Sequence, residues 1–245
     1  MKLLYRLRMF IKEAKIFLMT SINRANYQEL LYRDSYKLLI IDVIGASGVG
    51  KTTLINSLKR DKKLKFKRTM IKEENSFNLP LHEWEINFLI ENFKKIKNMY
   101  DLHNIQNIRR KITIDKSLRL RERGTFVVDE GLLYSKTFAS LINDSANNVG
   151  ITFANRLVIH MITNNLDIIV NQIRKRHRFT GRIVAGHKSK TDDDLVKGIQ
   201  SEINNNRNLA RLYLTNGATV LNLYVEDGLK TNIEKIRDTI INFHH

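Results

Sequence analysis

"LLIIDVIGASGVGKTTLINSL" runs from Leu38 to Leu58. Leu38–Ile44 is apolar throughout except at Asp42. A continuous apolar run of this length is the pattern of a central parallel strand covered on both faces. A glycine-rich turn follows, and a helix is expected from about Lys51.

The turn Gly45-Ala46-Ser47-Gly48-Val49-Gly50-Lys51-Thr52 matches G-x-x-x-x-G-K-[ST] at every fixed position. The glycines let the backbone wrap so that its N–H groups converge on a phosphate, and the helix beyond adds a favourable dipole. Gly45, Ser47, Gly48, Val49, Gly50, Lys51, Thr52 and Thr53 are therefore the expected nucleotide-binding residues. Lys51 is expected to reach the β- and γ-phosphates and the Thr52 hydroxyl to sit on Mg²⁺.

The rest of the chain alternates strand and helix patterns. Strands are expected at Leu64–Ile71, Thr125–Gly131, Arg156–Thr163 and Thr219–Val225. Helices are expected at His82–Tyr100, Ile105–Leu120, Leu132–Asn143, Leu166–Arg176, Asp192–Leu214 and Leu229–Phe243. Such alternation builds βαβ units and a parallel sheet, an α/β fold. His160 on its apolar strand and the lone Trp84 read as packing residues rather than ligand-binding ones.

Two further segments carry chemistry. "TFVVDEG" ends a buried strand in Asp129 and Glu130. An acid at the end of a strand beside the phosphate loop is placed to hold Mg²⁺, and a second can contact or deprotonate an acceptor hydroxyl; an Asp capping the next helix is the plainer alternative. "IRKRHRFTGR" gathers Arg174, Arg176, Arg178 and Arg182. Arginine forks stabilise the charge that spreads over a moving phosphoryl group, and Gly181 can hinge a closing loop. The plainer reading is a basic helix end.

The 245-residue chain carries 42 Lys and Arg against 25 Asp and Glu, a formal charge of +17. That field attracts polyanions such as nucleotides, nucleic acid, phosphorylated metabolites or an anionic membrane. The absence of cysteine excludes disulfides, thiolate zinc sites and a catalytic thiol, and fits a cytoplasmic setting. Residues 1–36 stand apart as a basic amphipathic extension, with Leu3, Leu4, Leu7, Phe10, Ile11, Ala14, Phe17 and Leu18 on one face. Residues 1–19 could lie peripherally on the inner face of a membrane or pack on the parent domain.

With these pieces in place, the chain resembles the P-loop kinases of the nucleotide, nucleoside and small-metabolite group. "GASGVGKTT", "FVVDEG", "VIHMITNNLDIIVNQIRKR" and "RFTGR" carry the resemblance, over about Leu38 to the C-terminus. It implies a five-stranded parallel sheet in order 2-3-1-4-5 flanked by helices, within a kinase-like domain spanning 37–245. It implies a helical substrate-binding region at 72–123, an arginine lid at 174–192, and ATP with Mg²⁺ as donor. Glu73 and Glu74 sit where several nucleoside kinases carry an acid that activates the acceptor. The third strand ends in Asp-Glu-Gly rather than the acid-Arg pair of thymidylate and deoxynucleoside kinases, so their base recognition is not carried over.

The expected activity is phosphoryl transfer from Mg-ATP to an anionic small-molecule or membrane-associated acceptor. Lys51, Asp129, Glu130, Arg178 and Arg182 are the expected catalytic residues, with Thr52 and Asp129 on the metal. An NTP-hydrolysing switch acting with a protein or nucleic-acid partner is one alternative, and a polynucleotide kinase another. Asn164-Asn165-Leu166-Asp167 is only partly similar to the GTPase base-reading N-K-x-D, and no D-x-x-G follows the third strand.

Overall fold

The computed structural model describes residues 38–64, 108, 111, 118, 124–129, 153, 155–180 and 191–243. The apolar run at its head forms β1 (Leu38–Gly45), buried along its whole length. Then come α1 (Lys51–Arg60), β2 (Gly124–Asp129), β3 (Arg156–Ile162), α2 (Leu166–Thr180), α3 (Asp192–Thr215), β4 (Thr219–Tyr224), a 3₁₀ turn at Val225–Asp227 and α4 (Leu229–Phe243). The strands form one sheet in the order β2-β1-β3-β4. β1 and β3 run parallel, from Ile40 opposite Arg156 to Gly45 opposite Met161. β3 and β4 run parallel, from Leu157 opposite Thr219 to Ile162 opposite Tyr224.

Burial follows strand position. β1 and β3 lie inside the sheet and are buried at every residue. β4, at the edge, buries only Leu223 of its six. α3 shows why its sequence is helical: Leu195, Ile199, Ile203, Asn206, Ala210 and Tyr213 recur at three- and four-residue steps and are all buried. Thr191 caps it, its hydroxyl accepting from the Asp194 N–H at 3.2 Å, and three aspartates in the first turn suit the helix dipole. The core joins Leu39, Ile41 and Val43 of β1 to Leu54 and Leu58 of α1, Ile169 and Ile173 of α2, Ile199 of α3 and Ile236 of α4. Each such side chain contributes about 1.5–3 kcal/mol on burial.

A polar tie joins α1 to α4. The Arg237 guanidinium donates to Asp61 Oδ2 through Nε at 2.7 Å and lies 2.5 Å from it through Nη2. Burial pushes the Asp61 carboxyl up, but Arg237 and the backbone N–H groups of Lys63 and Leu64 outweigh it and hold it below its ordinary value.

Two compact units divide the chain. One comprises Met1–Leu38, Thr69–Gly124 and Ser135–Ile151; the other comprises Leu39–Arg68, Thr125–Tyr134 and Thr152–His245. In the first unit, Ile108 and Leu118 are helical and buried. The sheet, apart from the first residues of β1 and β2, and helices α1 to α4 belong to the second.

The parallel α/β architecture agrees with the sequence reading, with corrections. Four strands are present among the described residues rather than five. The expected second strand, Leu64–Ile71, begins in a turn at Leu64, and 65–71 lie outside the described residues. In chain order the observed sheet is thus 2-1-3-4 rather than 2-3-1-4-5. α2 runs four residues past the expected Arg176, to Thr180. The extension 1–36, most of the 72–123 region with Glu73, Glu74 and Trp84, and Leu132–Asn143 also fall outside the described residues. Among the described residues no helix is long and apolar enough to cross a membrane.

Candidate functional site

All of β1 up to Gly45 is consumed by the sheet, so the chain leaves the strand's C-terminal end directly into the glycine turn. α1 then begins at Lys51, with Gly50 as its N-cap in the left-handed region, φ +96°. Among the described residues no side chain caps this helix. Its first N–H groups and the positive end of its dipole therefore face the turn with no protein acceptor supplied by the cap. This is the arrangement that holds phosphate at helix N-termini.

The shape of the turn depends on Gly48. Its φ is +84°, and a Cβ there would lie 2.9 Å from Ile173 Cγ1 and 3.0 Å from Ile169 Cγ2, both on α2. Gly48→Ala is expected to cost about 1–3 kcal/mol from the backbone conformation alone. The methyl also pushes the turn off α2, so urea unfolding should show the loss and calorimetry should show weaker nucleotide binding. Wild-type stability and binding in that variant would refute the packing argument.

Lys51 is folded onto the turn. Its Nζ donates to Gly45 O at 2.8 Å and Ala46 O at 3.1 Å. Both acceptors are carbonyls at the root of the loop, so the ammonium is held against the turn. Thr52 and Thr53 are exposed in the first turn of α1. The Ser47 N–H donates to Glu202 Oε2 at 2.6 Å, from α3, 155 residues away. Nothing local in the sequence marks Glu202.

The neighbouring turn is built from β3 and the 3₁₀ segment. Glu226 Oε1 accepts from Thr163 Oγ1 at 2.6 Å, from Asn164 N at 2.9 Å and from Asn165 N at 3.3 Å. Burial raises the Glu226 carboxyl, but these donors overcome it and leave it below its usual value. Asn165 Oδ1 accepts from the Asp167 N–H at 3.0 Å and so opens α2. The Asn164–Asp167 stretch therefore joins strand to helix through local bonds.

Asp129 closes β2, the neighbour of β1 in the sheet. Glu130 and Arg182 lie outside the described residues. Arg178 is exposed on α2; of the expected lid, Arg174 to Thr180 is helix, and 181–190 lie outside the described residues. Arg174 Nε and Nη2 both donate to Asp192 Oδ1, at 2.9 and 2.7 Å, joining α2 to the start of α3.

A solved structure supplies the comparison that this geometry calls for. The deoxyadenosine kinase of M. mycoides with bound dATP aligns over 82% of this chain and 99% of its own, at 18% identity and a TM-score of 0.50. The fold is similar to that of this deoxyadenosine kinase. Shikimate kinase of Bacteroides thetaiotaomicron aligns over 82% and 98%, at 14% identity and a TM-score of 0.44. An uncharacterized protein of Eubacterium ventriosum does so over 82% and 98%, at 12% and 0.40. No protein-family model matches the sequence, and no curated protein does. One fold hosts many functions, so function has to be argued from the site.

His160, expected in the core, is 3% exposed, with Nδ1 3.1 Å from Asn222 Oδ1 on β4. Burial lowers its pKa from 6.5, Asn222 raises it and the Arg207 charge lowers it further, leaving it below the ordinary value. The sign follows from linkage. Below about pH 6.5 the unfolded chain takes up a proton that the folded chain resists. The stability His160 contributes is full above that pH and is lost as pH falls through it. Urea unfolding between about pH 5 and 8 should show this slope, and His160→Gln should flatten it. An unchanged slope in that variant would assign the dependence elsewhere.

Proposed function

We propose that this chain is an ATP-dependent phosphotransferase that passes the terminal phosphate of Mg-ATP to a small anionic acceptor. The observation that carries the reading is the cradle at the C-terminal end of β1: a helix N-terminus with no side-chain cap among the described residues, a turn with no room for a side chain at Gly48, and the Lys51 ammonium held against the turn. Backbone N–H groups converging beside an ammonium match the charge and shape of a polyphosphate. They fit ATP, and the exposed Thr52 hydroxyl beside that helix N-terminus fits its metal ion.

In this reading Gly45–Thr53 hold the phosphates and Lys51 neutralises the terminal ones. Thr52 and Asp129 would hold Mg²⁺, which supplies neutralisation of the developing charge. The acceptor oxygen bonds to the γ-phosphorus as the bond to the ADP oxygen breaks, and Glu130 takes the acceptor's proton. Arg178 and Arg182 stabilise the charge of the transferring group.

The acceptor side is argued from charge. Lys and Arg exceed Asp and Glu by 17, and much of that excess lies in 93–123, between the phosphate loop and β2. The M. mycoides enzyme is a deoxyadenosine kinase, so deoxynucleoside monophosphates, which carry the charge this basic excess attracts, are the first acceptors to try, with uncharged deoxyadenosine as the comparison. The test incubates the full chain with labelled Mg-ATP and a pooled acceptor set, with Lys51→Ala as control. Label transferred by the wild type alone supports the reading. Hydrolysis that only a protein or nucleic acid accelerates would replace it with a switch or motor.

A further inference from the structure

The bond from the Ser47 N–H to Glu202 Oε2 puts an anion of the protein's own on the phosphate loop. A carboxylate accepting from a backbone N–H presents the same chemistry as a phosphate oxygen. At 2.6 Å the bond is short, and Ser47 and Glu202 are both half-buried. Glu202 does not swing on a loose segment. It lies in the middle of α3, flanked by Ile199 and Ile203 in the core, and its own carbonyl accepts from Asn206 Nδ2 at 2.8 Å. α3 is fixed at its start by the Thr191 cap and by Arg174 on Asp192. The carboxylate is thus delivered to the loop by a rigid element.

From this we infer that Glu202 sets the affinity of the phosphate site: it is an internal anion that competes with the polyphosphate of the nucleotide for the Ser47 N–H. The inference rests on the phosphotransferase reading. A polyphosphate entering the cradle must take that N–H from Glu202 or share it beside a like charge, and either lowers affinity. Lys51 pulls the polyphosphate in while Glu202 opposes it, so the site holds a nucleotide less tightly than the loop alone would. The same opposition favours release of the diphosphate product, a step that limits many enzymes of this kind.

Calorimetric titration of the full chain with Mg-ATP, Mg-ADP and inorganic pyrophosphate tests this in wild type, Glu202→Gln, Glu202→Ala and Lys51→Ala. Glu202→Gln keeps the shape and removes the charge. Both Glu202 variants should bind all three ligands about tenfold more tightly, the scale set by one hydrogen bond to a charged group. A merely structural glutamate gives the opposite sign, because a loosened loop binds less well. Unchanged or weaker binding in variants that melt like the wild type overturns the inference and leaves the phosphotransferase reading standing. If no ligand binds the wild type or either Glu202 variant, the phosphotransferase reading fails and the inference falls with it. Should both variants fail to fold, the wild type decides. The Ser47 amide proton resonance, displaced downfield while it faces a carboxylate, must move on saturation with Mg-ADP, and an unmoved resonance overturns the inference.

Discussion

Lys51→Ala should lower phosphate transfer by at least a hundred- to a thousand-fold while the protein melts within a few degrees of the wild type. The magnitude is that of removing one preorganised charge from a site where negative charge develops. The stability expectation rests on where Lys51 sits: it is half-buried, and the Gly45 and Ala46 backbone carbonyls that accept from its Nζ are neutral, so its removal strands no counter-charge at them. Lys51→Arg should recover little, since a planar fork cannot replace a compact ammonium held between two carbonyls. Steady-state assays with saturating Mg-ATP, beside a melting curve, check both halves. Full transfer by the alanine variant would remove the loop from the chemistry.

The second large effect concerns Asp42, the one charged residue in β1. It is fully buried, and its Oδ2 accepts from Arg156 Nη1 at 2.5 Å and from the Tyr213 hydroxyl at 2.7 Å. Arg156, 1% exposed, also lies over the Phe153 ring at 5.7 Å. Phe153 in turn meets Tyr213 edge to face, with ring centroids 5.5 Å apart. Asp42→Asn leaves the arginine charge in the core without its counter-charge. The expected cost is about 3–5 kcal/mol, which for a chain of this size lowers the melting point by roughly 6–20 °C. Replacing both partners, as Asp42→Leu with Arg156→Met, should restore much of the loss, because two apolar groups bury no unpaired charge. Urea unfolding of the single and double variants closes the cycle, and a loss under about 1 kcal/mol in Asp42→Asn would mean the pair is hydrated.

These two residues mark how far the sequence could be read. Lys51 belongs to a contiguous motif whose spacing dictates its geometry, and the strand and helix around it follow from local patterning. Asp42 stood out as a charge in an apolar run, but its partners Arg156 and Tyr213 are 114 and 171 residues away and nothing local names them. Glu202 was missed for the same reason. α2 outran its expected end at Arg176 because the residues that continue it, His177-Arg178-Phe179-Thr180, carry no apolar helical rhythm to announce it. That β1 lies parallel beside β3 required no such reach, since both strands read as near-continuous apolar runs buried on both faces, but their register comes only from the structure.

The Asp61–Arg237 pair bears on whether the phosphate loop is portable. It spans 176 residues and ties the end of the loop's own helix to α4, whose Ile236 enters the same core as Leu54 and Leu58. Contacts of such sequence separation must wait for most of the chain to be collapsed before they form, which slows folding. A peptide of β1, the turn and α1 would keep the motif but lose what holds its helix in place. Grafted into another scaffold, the signature letters would not bring their cradle with them.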